Sequence, residues 1–264
     1  MSETALRLSL FAGVLAGLVL WELLQPWRDA QQRLRRWPSN FAIVLLDSLI
    51  VRLIFPLTAA GVALFAEIKG WGLFALVGAP FWLALPASVI LLDLAIYAQH
   101  VAFHHVPLLW RFHRMHHADT VLDVSTGLRF HPVEIVLSML IKFGAVLALG
   151  APPEAVIAFE VLLNATAMFN HANIVLPERL DRLLRLVVVT PAMHRVHHSA
   201  IRAETDSNFG FNLPWWDRLF GTYQDGPRLG YERMIVGLDS FRADEEARLD
   251  RMLTQPFRRP DKDG

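Results

Sequence analysis

The chain has 264 residues, 54% of them hydrophobic and 19% charged, and no cysteine. That is oily for a soluble globule, and the missing thiols exclude disulfides, zinc–thiolate sites, iron–sulfur clusters and thiol catalysis together. Twenty-five basic residues balance twenty-five acidic ones, so nothing points to nucleic acid or to an acidic partner.

Leu6 to Leu24 is almost uninterrupted apolar sequence, long enough to cross a bilayer. Only Arg7 charges its leading end, and residues 21–26 make a poor small-residue cleavage site, so it reads as a retained anchor. Pro26 to Pro38 is polar, and Arg28, Arg33, Arg35 and Arg36 place this loop on the cytoplasmic side. Phe41 to Ala66 is a second apolar run, with Asp47 and Arg52 inside it facing protein or an interface rather than lipid. Glu67 to Gly70 turns the chain on the far side. Trp71 to Tyr97 then returns, kinked or broken at Pro80 and Pro86, and delivers Asp93, Tyr97, His100 and His104 to the cytoplasmic side.

Pro107 to His131 is polar. Val133 to Leu149 and Ala155 to Phe169 read as a helical hairpin around Gly150-Ala151-Pro152-Pro153, ending at Asn170-His171-Ala172-Asn173. Leu183 to Val189 is too short to span and reads as interfacial or packed. Thr190-Pro191 is a helix start, with Thr at the N-cap and Pro in the first turn. Residues 207–223 look like a cap of turns and aromatics, Ala243 to Leu253 like a charged surface helix, and Pro256 to Gly264 like a frayed tail. The expectation is an all-α integral membrane helical bundle with a cytoplasmic histidine-rich di-metal cap. Its N-terminus lies outside, and it makes about five crossings.

All eleven histidines fall between His100 and His198. Eight form three tight groups: His100 and His104; His113, His116 and His117; His194, His197 and His198. Residues three and four apart share a helix face, so each group presents two or three imidazoles in one direction. A lone histidine is more often structural than a ligand. Three clusters differ, because packed imidazolium groups repel and must stay neutral or share a cation. Nine or ten imidazoles exceed one coordination shell, which makes two metals the economical reading. Hydrolytic zinc would want a carboxylate base, and no His-Glu-x-x-His is present. Haem is disfavoured by the adjacent His-His steps.

The order His-x3-His, His-x2-His-His, His-x2-His-His resembles the fatty acid hydroxylase superfamily, which includes sterol desaturases, C4-methyl sterol oxidases and alkylglycerol monooxygenase. Asp93-x3-Tyr97-x2-His100, Leu109 to His113, Arg129-Phe130-His131-Pro132, Phe169 to Asn173, Thr190-Pro191-x2-His194, Asn208-Phe209-Gly210 and Trp216 to Tyr223 add to the match, which covers roughly residues 90–225. The resemblance implies N-terminal transmembrane helices over 1–89, a hydroxylase-like catalytic domain with a transmembrane hairpin over 90–225, and a cytoplasmic tail over 226–264. It also implies a membrane-bound di-iron oxygenase. Such an enzyme hydroxylates or desaturates an unactivated C–H bond of a lipid or sterol-like substrate, using O2 and electrons from a separate reductase, ferredoxin or cytochrome.

Carried over residue by residue, the implied metal ligands are His100, His104, His113, His116, His117, His171, His194, His197 and His198. Some members carry one more histidine where this chain has Ala167, and His131 or a water could fill that gap. Asp93 and Asn170 are candidates to orient imidazoles through their outer nitrogens. His105 points away from His104 and is left out. Arg114 and Arg195 face either lipid headgroups or solvent. The expected metals are two iron ions, with zinc as a substitute. The expected location is the cell inner membrane, with the metal site on its cytoplasmic side. The alternatives are a membrane metal-binding or transport protein and a zinc-dependent membrane hydrolase with Asp119, Asp206 or Glu134 as base.

Overall fold

The computed structural model describes residues 3–29 and 33–260. Among these there is no strand, only isolated bridges such as Pro26 with Ile174. The long elements are α1 (Glu3–Leu24), α2 (Arg33–Ile54), α3 (Ala59–Lys69), the single turn α4 (Leu73–Leu76), α5 (Phe81–His105), α6 (Pro107–His117), α7 (Pro132–Leu149) and α8 (Pro153–His171). Six shorter helices follow: α9 (Glu178–Leu184), α10 (Pro191–His197), α11 (Arg202–Thr205), α12 (Trp215–Leu219), α13 (Gly230–Arg233) and α14 (Leu249–Thr254).

Four stretches are long and apolar enough to cross a membrane: Thr4–Leu24, Arg33–Leu76, Phe81–His105 and Pro132–Leu149. α8, read from the sequence as a fifth crossing, is not among them. It carries Glu154 and Glu160, and Glu160 is paired with Lys142 at 2.8 Å and with Arg7 at 2.8 Å.

The second apolar run does not form one helix. α2 stops at Ile54 and α3 restarts after Thr58, whose hydroxyl accepts from Gly61 N, because Pro56 cannot continue the backbone ladder. Pro80 and Pro86 act differently from each other: Pro80 caps the start of α5, and Pro86 lies within the first turns of a continuous helix. Near the far end of the bundle, Gly72 (φ +99°) meets Gly150 so closely that a Cβ on it would lie 2.1 Å from the Gly150 nitrogen. Only glycine permits that crossing.

α5 packs on α6, α7 and α8, and α3 on α7 and α8. Ala63, Leu92, Val146 and Phe159 form the main buried cluster between them. α1 leans on α8, and its last turn is tied to the cap through Glu22. That carboxylate, 1% exposed, accepts from the backbone of Val124 (2.7 Å) and Asn173 (2.8 Å) and from Arg33 (2.8 Å).

The C-terminal part departs from expectation. Residues 243–253 are not one surface helix: a 3-10 turn over Asp244–Ala247 and α14 are separated by extended backbone at Arg248. Met252 is fully buried against Ile43 and Met115. Nor is the segment after Thr254 frayed as far as it is described. The carbonyls of Gln255, Pro256 and Arg258 accept from Arg114 and Arg111 of α6. Residues 261–264 and 30–32 lie outside the described residues. Arg114 and Arg195 are both buried rather than at lipid or solvent. Arg195 donates to the carbonyls of Ala172 and Ile174 and stacks over Trp27.

Candidate metal centre

The helix faces read from the sequence converge, but they interleave rather than meet as three blocks. His100 and His104 from α5, His113 and His117 from α6, and His197 from α10 bring five ligand atoms within 4.8 Å of one another. His116 from α6, His171 from α8, and His194 and His198 from the α10 turn bring together four more. Consecutive residues therefore serve different sets, since side chains one apart diverge by about 100° on a helix. All nine imidazoles are 4% exposed or less.

Most outer nitrogens are fixed. His100 Nδ1 donates to the Phe209 carbonyl (2.7 Å), His113 Nδ1 to Glu134 (2.7 Å) and His116 Nδ1 to the Arg129 carbonyl (3.1 Å). His171 Nδ1 donates to the Ala167 carbonyl (2.6 Å), His197 Nδ1 to the Ser207 carbonyl (2.7 Å) and His104 Nδ1 to Asp206 (3.2 Å). A ring that donates through Nδ1 and is neutral keeps a bare lone pair on Nε2. Those lone pairs face each other: His100 and His113 Nε2 are 3.1 Å apart, as are His116 and His171. No proton is left to bond them, and Nε2 of His104, His117 and His197 is buried without any partner among the described residues.

A cation between the rings removes the repulsion, so the donor set fits metal ions.

Burial and neighbouring imidazoles hold His116, His117, His194 and His198 well below the ordinary histidine pKa. Burial drops His197 to about 3. The unfolded chain takes these protons near pH 6.5 and the folded chain does not, so this stability is complete above about pH 6.5 and is lost as pH falls. The metal-free protein is expected to keep a constant melting temperature from pH 8 to 7. Below pH 6.5 it should lose up to about 1.4 kcal/mol per pH unit for each such imidazole. A flat profile between pH 7 and 5 in thermal scans of chelator-treated protein would contradict this.

Three sequence-derived candidates sit elsewhere. His131 caps α7: its Nδ1 accepts from Val133 N and its Nε2 donates to the Leu253 carbonyl, so neither nitrogen reaches the clusters or the gap at Ala167. Asp93 touches no imidazole; it accepts from the backbone of Asn212 and Leu213 and from the Trp216 indole (2.8 Å). Asn170 donates to the Phe211 carbonyl (2.7 Å). These two side chains, with Asp217 accepting from Phe209 N and Gly210 N (both 2.8 Å), brace the 207–213 loop that offers its carbonyls to His100 and His197. His105 is exposed, as expected.

The outer partners that matter are mainly backbone carbonyls, which no side-chain pattern announces. Glu134 carried a weak signal, following His131-Pro132 in the first turn of α7. Gly127 has a steric role: a Cβ there would lie 2.4 Å from the Ala167 carbonyl oxygen that holds His171.

A cavity of about 320 Å³ opens beside His100 and His113, between α2, α5, α7 and α8. Apolar residues such as Phe103, Phe130 and Phe211 line it, together with several polar ones.

Fold and site together define an integral membrane protein with a buried, histidine-walled centre suited to metal ions. The chain belongs to the fatty acid hydroxylase family, whose profile matches residues 85–222, just over half of the sequence. An ornithine lipid hydroxylase of Rhizobium tropici is 30% identical over 141 residues, 53% of this chain and 42% of that protein. The alkylglycerol monooxygenase of Homo sapiens is 33% identical over 149 residues, 55% and 31% respectively. A very-long-chain aldehyde decarbonylase of Arabidopsis thaliana is 27% identical over 148 residues, 53% and 23%. The chain thus spans less than half the length of these relatives. No solved structure matches it.

Proposed function

We propose that this protein is a membrane-bound di-iron oxygenase that hydroxylates or desaturates an unactivated C–H bond of a lipid drawn from the bilayer. The observation that carries the reading is the pair of buried imidazole sets with facing lone pairs, beside a cavity between membrane helices. Named functions of the relatives, a lipid hydroxylase, a monooxygenase and a decarbonylase, support chemistry on lipid chains.

The first set would be held by His100, His104, His113, His117 and His197, and the second by His116, His171, His194 and His198. Two bound iron ions would supply the activation of O2 and the oxidising power that a C–H bond needs. The protein's own part is positional. The carbonyls of Phe209, Arg129, Ala167 and Ser207 fix ring orientation and tautomer. The cavity wall formed by Phe103, Phe130 and Phe211 keeps water from the reacting carbon. Electrons come from a separate donor, a reductase, ferredoxin or cytochrome. Arg28, Arg33, Arg35 and Arg36, just before and in the first turn of α2, support a histidine face on the cytoplasmic side of the cell inner membrane.

A zinc hydrolase is less well supported. Of its three candidate bases, Glu134 and Asp206 hold imidazoles, and Asp119 holds Arg36. The test is metal content and turnover of the detergent-purified chain. Two irons per chain, with lipid oxidation that stops without O2 or reductant, is the expected result. Two zincs that iron does not displace would move the assignment to hydrolysis or metal handling.

A further inference from the structure

A hydrocarbon tail alone would need only apolar walls beside His100 and His113, and this cavity, apolar over most of its lining, also carries a set of polar side chains. Asp47, Gln99, Glu134, Ser138, Lys142 and Glu160 all line it, projecting from helices whose remaining residues are mostly apolar. Polar side chains in such helices are costly and serve a purpose when they face a cavity. Some satisfy one another: Lys142 pairs with Glu160, and Gln99 Nε2 donates to Ser138 (3.0 Å).

Three acceptors are left over. Asp47 Oδ1 on α2, Glu134 Oε2 on α7 and Gln99 Oε1 on α5 are each buried and without a hydrogen-bond partner among the described residues. Asp47 is only 7% exposed, and no salt bridge joins its carboxylate to a cation among the described residues. A buried acceptor without a donor is costly, most of all when it is charged. Three acceptor oxygens on three walls, two of them from carboxylates, are complementary to one group in particular. A primary ammonium offers three N–H donors and a positive charge. A hydroxyl offers one donor and no charge, and a quaternary ammonium offers no donor.

We infer that the cavity receives a lipid whose polar group is a protonated primary amine, held by Asp47, Glu134 and Gln99, with the carbons next to the amine turned towards His100 and His113. The inference deepens the oxygenase reading and rests on it for the reaction that follows. The binding step stands apart from that reaction and can be measured alone.

The experiment is native mass spectrometry of the purified full chain in nanodiscs, without O2 or reductant. Phosphatidylethanolamine and phosphatidylcholine with identical acyl chains are supplied in equal amounts. The expected result is at least about tenfold preference for the primary amine, the worth of one charge-assisted hydrogen bond. In Asp47→Asn that preference should fall towards unity while the metal content is unchanged. Equal retention of the two lipids by the wild-type chain overturns the inference, and so does an Asp47→Asn variant that keeps the preference. If Asp47→Asn does not fold, the wild-type comparison and Gln99→Leu, with a partial loss expected, decide the matter. A chain that oxidises lipid without favouring the amine refutes this inference alone. A chain that favours the amine but consumes no O2 refutes the oxygenase reading alone.

Discussion

His197→Ala and His194→Ala should each lower lipid oxidation at least about 100-fold, beyond the 10- to 100-fold typical of losing an outer partner of a metal ligand. The two variants address different sets: His197 belongs with His100, His104, His113 and His117, and His194 with His116, His171 and His198. Each deletion removes one of five or one of four donors and leaves the other rings facing one another with their lone pairs bare. Metal analysis should therefore show well under two ions per chain in both. His105→Ala is the control, because His105 is exposed and bonds only the Val101 carbonyl of its own helix; its metal content and turnover should match wild type. Full metal content in His194→Ala or in His197→Ala would count against the set that lost that ring as a metal site.

Arg36→Met should be the most destabilising single change outside the histidines. Arg36 is 1% exposed; its guanidinium donates to Asp119 (2.7 Å), Asp123 (2.7 Å) and Thr126 (3.0 Å). Both carboxylates are themselves buried, at 2% and 0% exposure. Arg36 beside Asp119 holds that carboxyl below its usual range, and Arg129 adds to the effect. Removing the arginine strands two buried negative charges, which costs about 3–5 kcal/mol. In thermal unfolding that corresponds to a drop on the order of 10 °C. Arg36→Lys should recover only part of it, since one ammonium cannot reproduce the fork across two carboxylates. A melting temperature within about 2 °C of wild type for Arg36→Met would show that the network contributes little.

The histidine centre was legible because its periodicity is a property of single helices. His100 with His104, and His194 with His197, lie on one face whatever else the fold does. The partition into a set of five and a set of four was not legible. It depends on how α6 and α10 are rotated against each other, and adjacent residues such as His116 and His117 give no hint of that rotation. In the sequence Asp93 and Asn170 look like partners of imidazoles, because side chains are all that a sequence displays. The structure uses them one step further out, bracing a loop whose carbonyls do the holding. The break at Pro56 overrode an otherwise continuous apolar run. The charged look of residues 243–253 concealed Met252, which with Leu249 and Leu253 packs the C-terminal segment against Ile43 of α2 and Met115 of α6.

His116 and His117 are neighbours on one helix, and His197 and His198 on another, yet each pair is split between the sets. α6 gives rings to both sets, and so does the turn that ends α10, so a shift of either element displaces donors of both sets at once, and neither set can be altered on its own.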